Sequence, residues 1–372
     1  MKVLMTGGGT GGHVNPAIAI ANIIKEKQPD AEIAFVGTSH GIENKLVPAE
    51  GYPLYHVEIQ GIRRSLSLSN LRTAWLVCTS MREAKKLIKS YKPDLVVGTG
   101  GYVCWPVVRA AALAGIPTAL HESNAVPGVA VKMLEKHVDR VYCNFEETRT
   151  HLKHPEKAVR VGNPLKSAFA NVDYEQARRD LGIAGKYRYF ILSCGGSMGA
   201  QRVNEEVLAV MRDFSAHHPE ILHIHATGSI EYQDALAMYR QYGLEEKENV
   251  QLLEYIYDMP QKMAAADLVI NRAGAMTLSE LAVMRKPCIL IPSPNVTDNH
   301  QYKNAHELEK KGAAVVLQEK DLTRGRLEQA VSELISDRTR RENMKEAIAD
   351  FAVPDCAEAL YTGLMDLMKE KK

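Results

Sequence analysis

No two of the six cysteines, at 78, 104, 143, 194, 288 and 356, form a C-x-x-C pair. This spacing excludes a zinc ribbon and a disulfide framework and fits a reducing compartment. No uninterrupted apolar stretch reaches the roughly 18 residues of a membrane span, and the run Val3-Leu4-Met5 meets Gly7 too early for a signal peptide. No charge of one sign dominates: 46 Lys and Arg oppose 45 Asp and Glu, a formal net charge of +1. The bulk therefore gives no reason to expect nucleic acid as a partner, and any electrostatic signal is local. No short repeat recurs, which excludes a solenoid. These absences point to a cytosolic protein that is free to touch a membrane surface.

The 372 residues exceed one average domain. In the first half, short apolar runs alternate with helical patterns. Residues 2–6, 32–37, 94–101, 116–123 and 140–144 read as strands, and Asn15 as N-cap with Pro16 behind it predicts a helix over about 16–28. YFILSCGGSMGA (189–200) repeats that opening, with a helix over about 201–214 and strands at 221–228, 267–274, 287–293 and 313–318. Such alternation implies α/β domains, each with a parallel sheet covered on both faces. The turn Asn163-Pro164 marks the boundary. The tail over about 338–370 is helical and broken by Pro354.

Glycine-rich segments 7–12, 98–101 and 195–199 follow predicted strands, where open α/β sheets bind ligands. Bare backbone and a helix N-terminus suit phosphate, and Ser197 reads as a phosphate-contacting hydroxyl. Three readings remain open. Gly7, Gly9 and Gly12 fit G-x-G-x-x-G, yet the second strand ends Val36-Gly37-Thr38-Ser39 without the acid that NAD binding wants. Gly195, Ser197 and Gly199 fit the G-x-S-x-G elbow of a serine hydrolase, with Asp298 and His300 downstream but no HGGG-type oxyanion loop. A non-catalytic nucleotide-binding adaptor would keep the loops and need no base.

Seven ordered segments narrow the choice: GGGTGGHVNPAIAIA (7–21), KPDLVVGTGGYVCWP (92–106), HESNAVPG (121–128), VGNPL (161–165), CGGSMGAQRVN (194–204), NRAGAMTLSELA (271–282) and DNHQYKNA (298–305). Together they resemble the MurG family of N-acetylglucosamine transferases along nearly the whole chain. The resemblance implies the GT-B architecture, two Rossmann-like domains facing an interdomain cleft. Its divisions are 1–163 for the lipid-linked acceptor, 164–340 for the UDP-sugar, and 341–372 as a helix returning to the first domain. It implies an inverting transfer from UDP-N-acetylglucosamine to the C4 hydroxyl of undecaprenyl-diphospho-N-acetylmuramoyl-pentapeptide, with another nucleotide-sugar transfer as the alternative within this class. No cofactor and no metal is implied, and no Asp-x-Asp motif is present.

The same resemblance distributes roles. His13, read as lying in the loop before Asn15-Pro16, is the expected base, since imidazole titrates near neutrality; Glu122 is the alternative, or orients Asn124. Thr10, Gly11, Gly12, Asn124 and Gln301 take donor-sugar contacts. Arg272, Ser197 and Lys166 serve the diphosphate; Lys166 stands where the family often has Arg, which keeps the charge but loses the bidentate fork. Ala275, Met276, Thr277, Leu278, Ser279 and Glu280 line the nucleotide pocket, with Glu280 on the ribose and Ile256 presenting backbone to uracil. Thr277-x-x-Glu280 also reads as a capping box. Gly8, Gly9, Gly100, Gly101 and Tyr102 cradle the acceptor diphosphate. His223 and His225 share a strand face without completing a metal set, and read as structural.

One stretch suggests a membrane-docking face. Arg63, Arg64, Arg72, Arg82, Lys85, Lys86 and Lys89 stand against Glu83 alone, interleaved with Leu66, Leu68, Leu71, Trp75 and Leu76. An anionic bilayer on the cytoplasmic side is the expected surface.

Overall fold

The computed structural model describes residues 1–59, 69–165, 167–169, 172–196, 200–323 and 325–371. They form two units, Met1–Leu165 with Asp355–Lys372, and Lys166–Pro354. Among the described residues, the first unit holds seven strands: β1 (Lys2–Thr6), β2 (Glu32–Gly37), β3 (Leu54–His56), β4 (Leu95–Gly98), β5 (Thr118–Glu122), β6 (Arg140–Cys143) and β7 (Ala158–Arg160). They lie in the order β3-β2-β1-β4-β5-β6-β7, every pair parallel. The second unit holds β8 (Tyr189–Cys194), β9 (Ile221–Ala226), β10 (Val250–Leu253), β11 (Leu268–Asn271), β12 (Cys288–Leu290) and β13 (Val315–Val316), in the order β10-β9-β8-β11-β12-β13 and again all parallel.

Both are Rossmann-like sheets, and the residues explain why. Central strands such as β1, β4, β8 and β11 are apolar at nearly every position and buried, as a sheet covered on both faces requires. In each unit the strand order reverses once, between β1 and β4 and between β8 and β11, the place beyond the strands' carboxyl ends where open α/β sheets bind ligands. The glycine turns 7–12 and 98–101 flank the first reversal; Gly195-Gly196 and Arg272 flank the second.

The first helix runs Gly11–Lys27, five residues earlier than Asn15-Pro16 suggested, and contains Pro16. Thr10, not Asn15, is the N-cap, and the Thr10 carbonyl accepts from the amides of His13 and Val14, both at 3.1 Å. A tertiary contact holds this early turn: the Thr99 hydroxyl donates to the His13 carbonyl at 2.7 Å. His13 therefore lies in the helix's first turn rather than in a loop. The tail forms two helices, Arg338–Ala349 and Cys356–Glu370, separated around Pro354. The second of these packs Leu360, Leu364 and Leu367 into the first unit's core beside Ile20, Ile24 and Tyr142.

Candidate active site

In the first unit, β1 pairs Thr6 with Gly98 of β4, so the turns after the two strands meet. They interlock so closely that side chains have no place. A methyl group at Gly101 would stand 2.3 Å from the Gly8 carbonyl oxygen, and one at Gly100 would stand 2.6 Å from His13 Cδ2 and 2.9 Å from Nε2. Both glycines also hold positive φ, +113° at Gly100 and +83° at Gly101, which side chains rarely tolerate. The half-buried His13 ring is thus packed against bare backbone. Its Nδ1 lies 3.2 Å from the Gly8 carbonyl oxygen and 3.3 Å from the Thr10 hydroxyl. A carbonyl only accepts, so Nδ1 carries the hydrogen and Nε2 keeps the lone pair. Burial lowers the His13 pKa, against the raising influence of the Gly8 carbonyl and the Glu43 charge. The ring stays neutral and able to take a proton.

Glu122 is almost fully buried at the end of β5. One oxygen accepts from Asn124 N and Nδ2, both at 3.0 Å, and the other from Gly128 N at 2.8 Å. This carboxylate organises its own loop and orients Asn124. Tyr102 is 59% exposed on the turn after Gly101. The Gly9 amide is turned to Glu43, at 3.0 Å, a partner the sequence reading did not foresee.

In the second unit, a cavity of about 740 Å³ opens at the β8–β11 reversal, its wall including Gly195, Gly196, Arg272, Gln301 and Glu319. Arg272 is held from two sides: Nη1 donates to the Ile291 carbonyl at 3.1 Å and meets Glu319 Oε2 at 2.7 Å. Gln301 accepts from the Ser293 amide at 2.9 Å. Arg202 is a further cation on this wall, paired with Glu206 at 2.8 Å. Neither Arg202 nor Glu319 was foreseen: Arg202 stands in the first turn of the helix Gln201–Asp213, and Glu319 reaches the wall from the turn after β13.

Ile256 and residues 275–280 are outside this wall. The helix Ala275–Val283 begins at Gly274, so Thr277 is not its N-cap and the capping-box reading of Glu280 fails. The glycine before Ala275 supplies the cap position, and Glu280 falls in the second turn. Its charge is felt by Cys194 at the end of β8, which puts Glu280 at the carboxyl-end face of the sheet. Ile256 is buried, with Tyr255 and Tyr257 exposed on either side. Lys166 and Ser197 lie outside the described residues, as do Arg63, Arg64, Leu66 and Leu68 and the side chains of Leu71, Arg72 and Trp75.

His223 and His225 belong to a buried polar chain. Ser215 Oγ meets His223 Nδ1 at 2.8 Å, His223 Nε2 meets Ser193 Oγ at 2.9 Å, Ser193 Oγ meets His225 Nδ1 at 3.0 Å, and His225 Nε2 meets Asn204 Oδ1 at 3.1 Å. Burial pushes the two rings down to about 3 and about 4, so both are neutral and every nitrogen is engaged.

Residues 3–143 match the glycosyltransferase family 28 N-terminal domain and residues 190–360 the glycosyltransferase family 28 C-terminal domain. A protein of Acetivibrio thermocellus is 43% identical over 371 residues, covering 100% of this chain and 99% of its own. One of Bacillus cytotoxicus is 40% identical over 370 residues, covering 100% of both. Both are named UDP-N-acetylglucosamine–N-acetylmuramyl-(pentapeptide) pyrophosphoryl-undecaprenol N-acetylglucosamine transferase. Among solved structures, the crystal structure of Acinetobacter baumannii MurG is similar with a TM-score of 0.79 at 28% identity, over 99% of each chain.

Proposed function

The chain belongs to glycosyltransferase family 28, and from that premise we propose that it transfers N-acetylglucosamine from UDP-N-acetylglucosamine to the C4 hydroxyl of undecaprenyl-diphospho-N-acetylmuramoyl-pentapeptide. The product is the lipid-linked disaccharide precursor of peptidoglycan. The observation that carries this is the full-length similarity, 43% over 371 residues, to a relative named for that transfer. The serine-hydrolase and dehydrogenase readings draw no support from family matches that fall in both units.

The reaction is one displacement. The acceptor O4 forms a bond to the anomeric carbon, the bond from that carbon to the diphosphate breaks with its electron pair going to UDP, and the O4 proton passes to a base. His13 is that base, through Nε2; the Gly8 carbonyl on Nδ1 supports this reading. Arg272, the Gly195-Gly196 turn and Ser197 stabilise the departing diphosphate, ahead of the helix Gln201–Asp213 whose N-terminus favours anions. Lys166 adds charge there. Glu280 takes the ribose, residues 275–280 the nucleotide and the Ile256 backbone the uracil. Thr10, Gly11, Gly12, Asn124 and Gln301 take sugar hydroxyls. Gly8, Gly9, Gly100, Gly101 and Tyr102 cradle the acceptor diphosphate, the amides of Gly8, Gly9 and Gly100 being engaged by the Gly100 carbonyl, Glu43 and Cys104.

The acceptor's lipid calls for contact with a membrane, for which we propose the cytoplasmic face, and the first unit offers a basic surface. Along the helix Ser69–Tyr91, Arg82, Lys85, Lys86 and Lys89 are exposed while Ala84 and Ile88 are buried. Each cation beside an anionic leaflet is worth about 1 kcal/mol. Among the described residues no helix is long and apolar enough to cross a membrane. The decisive experiment is acceptor-dependent release of UDP from UDP-N-acetylglucosamine, with the lipid-linked muramoyl-pentapeptide as acceptor. Release that ignores the acceptor, or none at all, would remove this function.

A further inference from the structure

Glu43, the first residue of the helix Glu43–Ala49, is fully buried. Its Oε1 accepts from the Thr38 amide at 2.8 Å and the Thr38 hydroxyl at 2.9 Å, and its Oε2 accepts from the Gly9 amide at 3.0 Å. The fit is close: a methyl group at Gly41 would stand 2.0 Å from Oε2. The other end of the same peptide unit is the Gly8 carbonyl, which accepts from His13 Nδ1 at 3.2 Å. In a trans peptide the N–H and C=O point in opposite directions. A single peptide plane therefore stands between the carboxylate and the imidazole.

We propose that Glu43 is a positioning residue for His13, acting through the peptide that joins Gly8 to Gly9. The carboxylate draws on the Gly9 N–H, which fixes the plane and polarises its carbonyl, and hydrogen bonds in such a chain strengthen one another. The carbonyl in turn holds Nδ1–H and leaves the Nε2 lone pair toward the Gly100 turn. The arrangement performs the duty of a carboxylate placed directly on an imidazole, holding tautomer and orientation, with one peptide inserted. Burial tends to raise the Glu43 pKa, but the Gly9 and Thr38 donors outweigh it and keep the group below its ordinary value, hence ionised. Glu43 is the charged group acting on the ring. On the Gly100 side, Cys104 accepts from the Gly100 amide at 3.4 Å, and burial pushes its thiol up to about 12, so it is neutral.

The inference rests on His13 as proton acceptor, and its test separates the two. In protein labelled with ¹⁵N-histidine, the His13 resonances of wild type and Glu43→Gln are followed between about pH 5 and 8. An amide has one acceptor oxygen where the carboxylate has two, so Glu43→Gln cannot serve both Thr38 and Gly9. Wild type should show one tautomer, with Nδ1 protonated. The variant should show both tautomers, titrate at lower pH, and lose about a hundredfold in kcat with donor KM unchanged. Identical tautomer and titration in the two proteins would overturn the proposal, even if the variant melted earlier, because Glu43 would then be loop packing. An altered titration with unchanged turnover would uphold the hold of Glu43 on the ring and remove His13 as base. If Glu43→Gln does not fold, hydrogen exchange at the wild-type Gly9 amide decides. Protection is expected; exchange as fast as in an open loop would sink the idea.

Discussion

At the first unit's strand reversal, the turn after β1 closes on a second glycine turn, and an imidazole is packed between bare peptides. At the second unit's reversal, the turn after β8 borders a cavity of about 740 Å³ with a guanidinium on its wall. Parallel pairing is common to both, and the strand order agrees over six strands, the first sheet adding β7 at its edge. Each functional group also has a buried or half-buried carboxylate behind it: Glu43 reaches His13 through a peptide, whereas Glu319 meets Arg272 directly at 2.7 Å. One backbone plan thus serves two electrostatic tasks. A neutral ring that must gain a proton is best served by a remote charge, which orients the ring without forcing protonation. A permanent cation needs only to be held in place.

The comparison can be broken most forcefully at His13. His13→Ala should lower kcat by about a thousandfold, within the range of general-base catalysis, and leave donor KM nearly unchanged. Because burial lowers the His13 pKa from 6.5, the acid limb of the kcat/KM profile should lie below that value, activity falling as pH drops through it. Near-normal turnover of the alanine variant would move the base elsewhere. Arg272→Ala comes next, with about a hundredfold loss in kcat as for the removal of one charge-stabilising donor. If UDP binding and kcat both survive, the second unit is not the leaving-group side. Glu280→Ala should weaken UDP binding about tenfold, one charge-assisted contact. Calorimetry that found only a lower melting temperature would return Glu280 to a structural role. The smallest effect concerns the basic surface of the helix Ser69–Tyr91, which only the first unit has. Arg82→Glu, Lys85→Glu and Lys89→Glu together should reduce binding to anionic vesicles several-fold at low salt and spare activity on a short-chain soluble acceptor. Equal vesicle binding by both proteins would show that this helix is only a solvated surface.

The central strands were legible because burial on both faces demands continuous apolar runs, as in Lys2–Thr6 and Tyr189–Cys194. Strands β3, β7 and β10 were not, being three or four residues each at sheet edges with sequences LYH, AVR and VQLL. The start of the first helix was misplaced because Asn15-Pro16 is a sound local signal that the Thr99 contact to His13 overrides. The glycine turns and His13 announced themselves, since phosphate loops concentrate residues that are otherwise scattered. Glu43 did not: it is 34 residues from Gly9, and only the pairing of β2 with β1 brings it there. The acid that NAD binding wants near the end of the second strand was correctly seen as missing from Val36 to Ser39, yet an acid a few residues on serves the glycine turn itself.

The helix Cys356–Glu370 completes the first unit although the whole second unit is translated before it. While a ribosome adds residues 166–354, which takes roughly 10–40 s at ordinary elongation rates, the stripe of Ile20 and Ile24 waits without Leu360, Leu364 and Leu367. Gly363 adds a constraint of fit, since a methyl group there would stand 2.9 Å from the Tyr142 hydroxyl. The sequence of the second unit is therefore complete before the core of the first is. The earlier-made half of the enzyme thus receives the last part of its apolar core only after the whole of the other half has been synthesised.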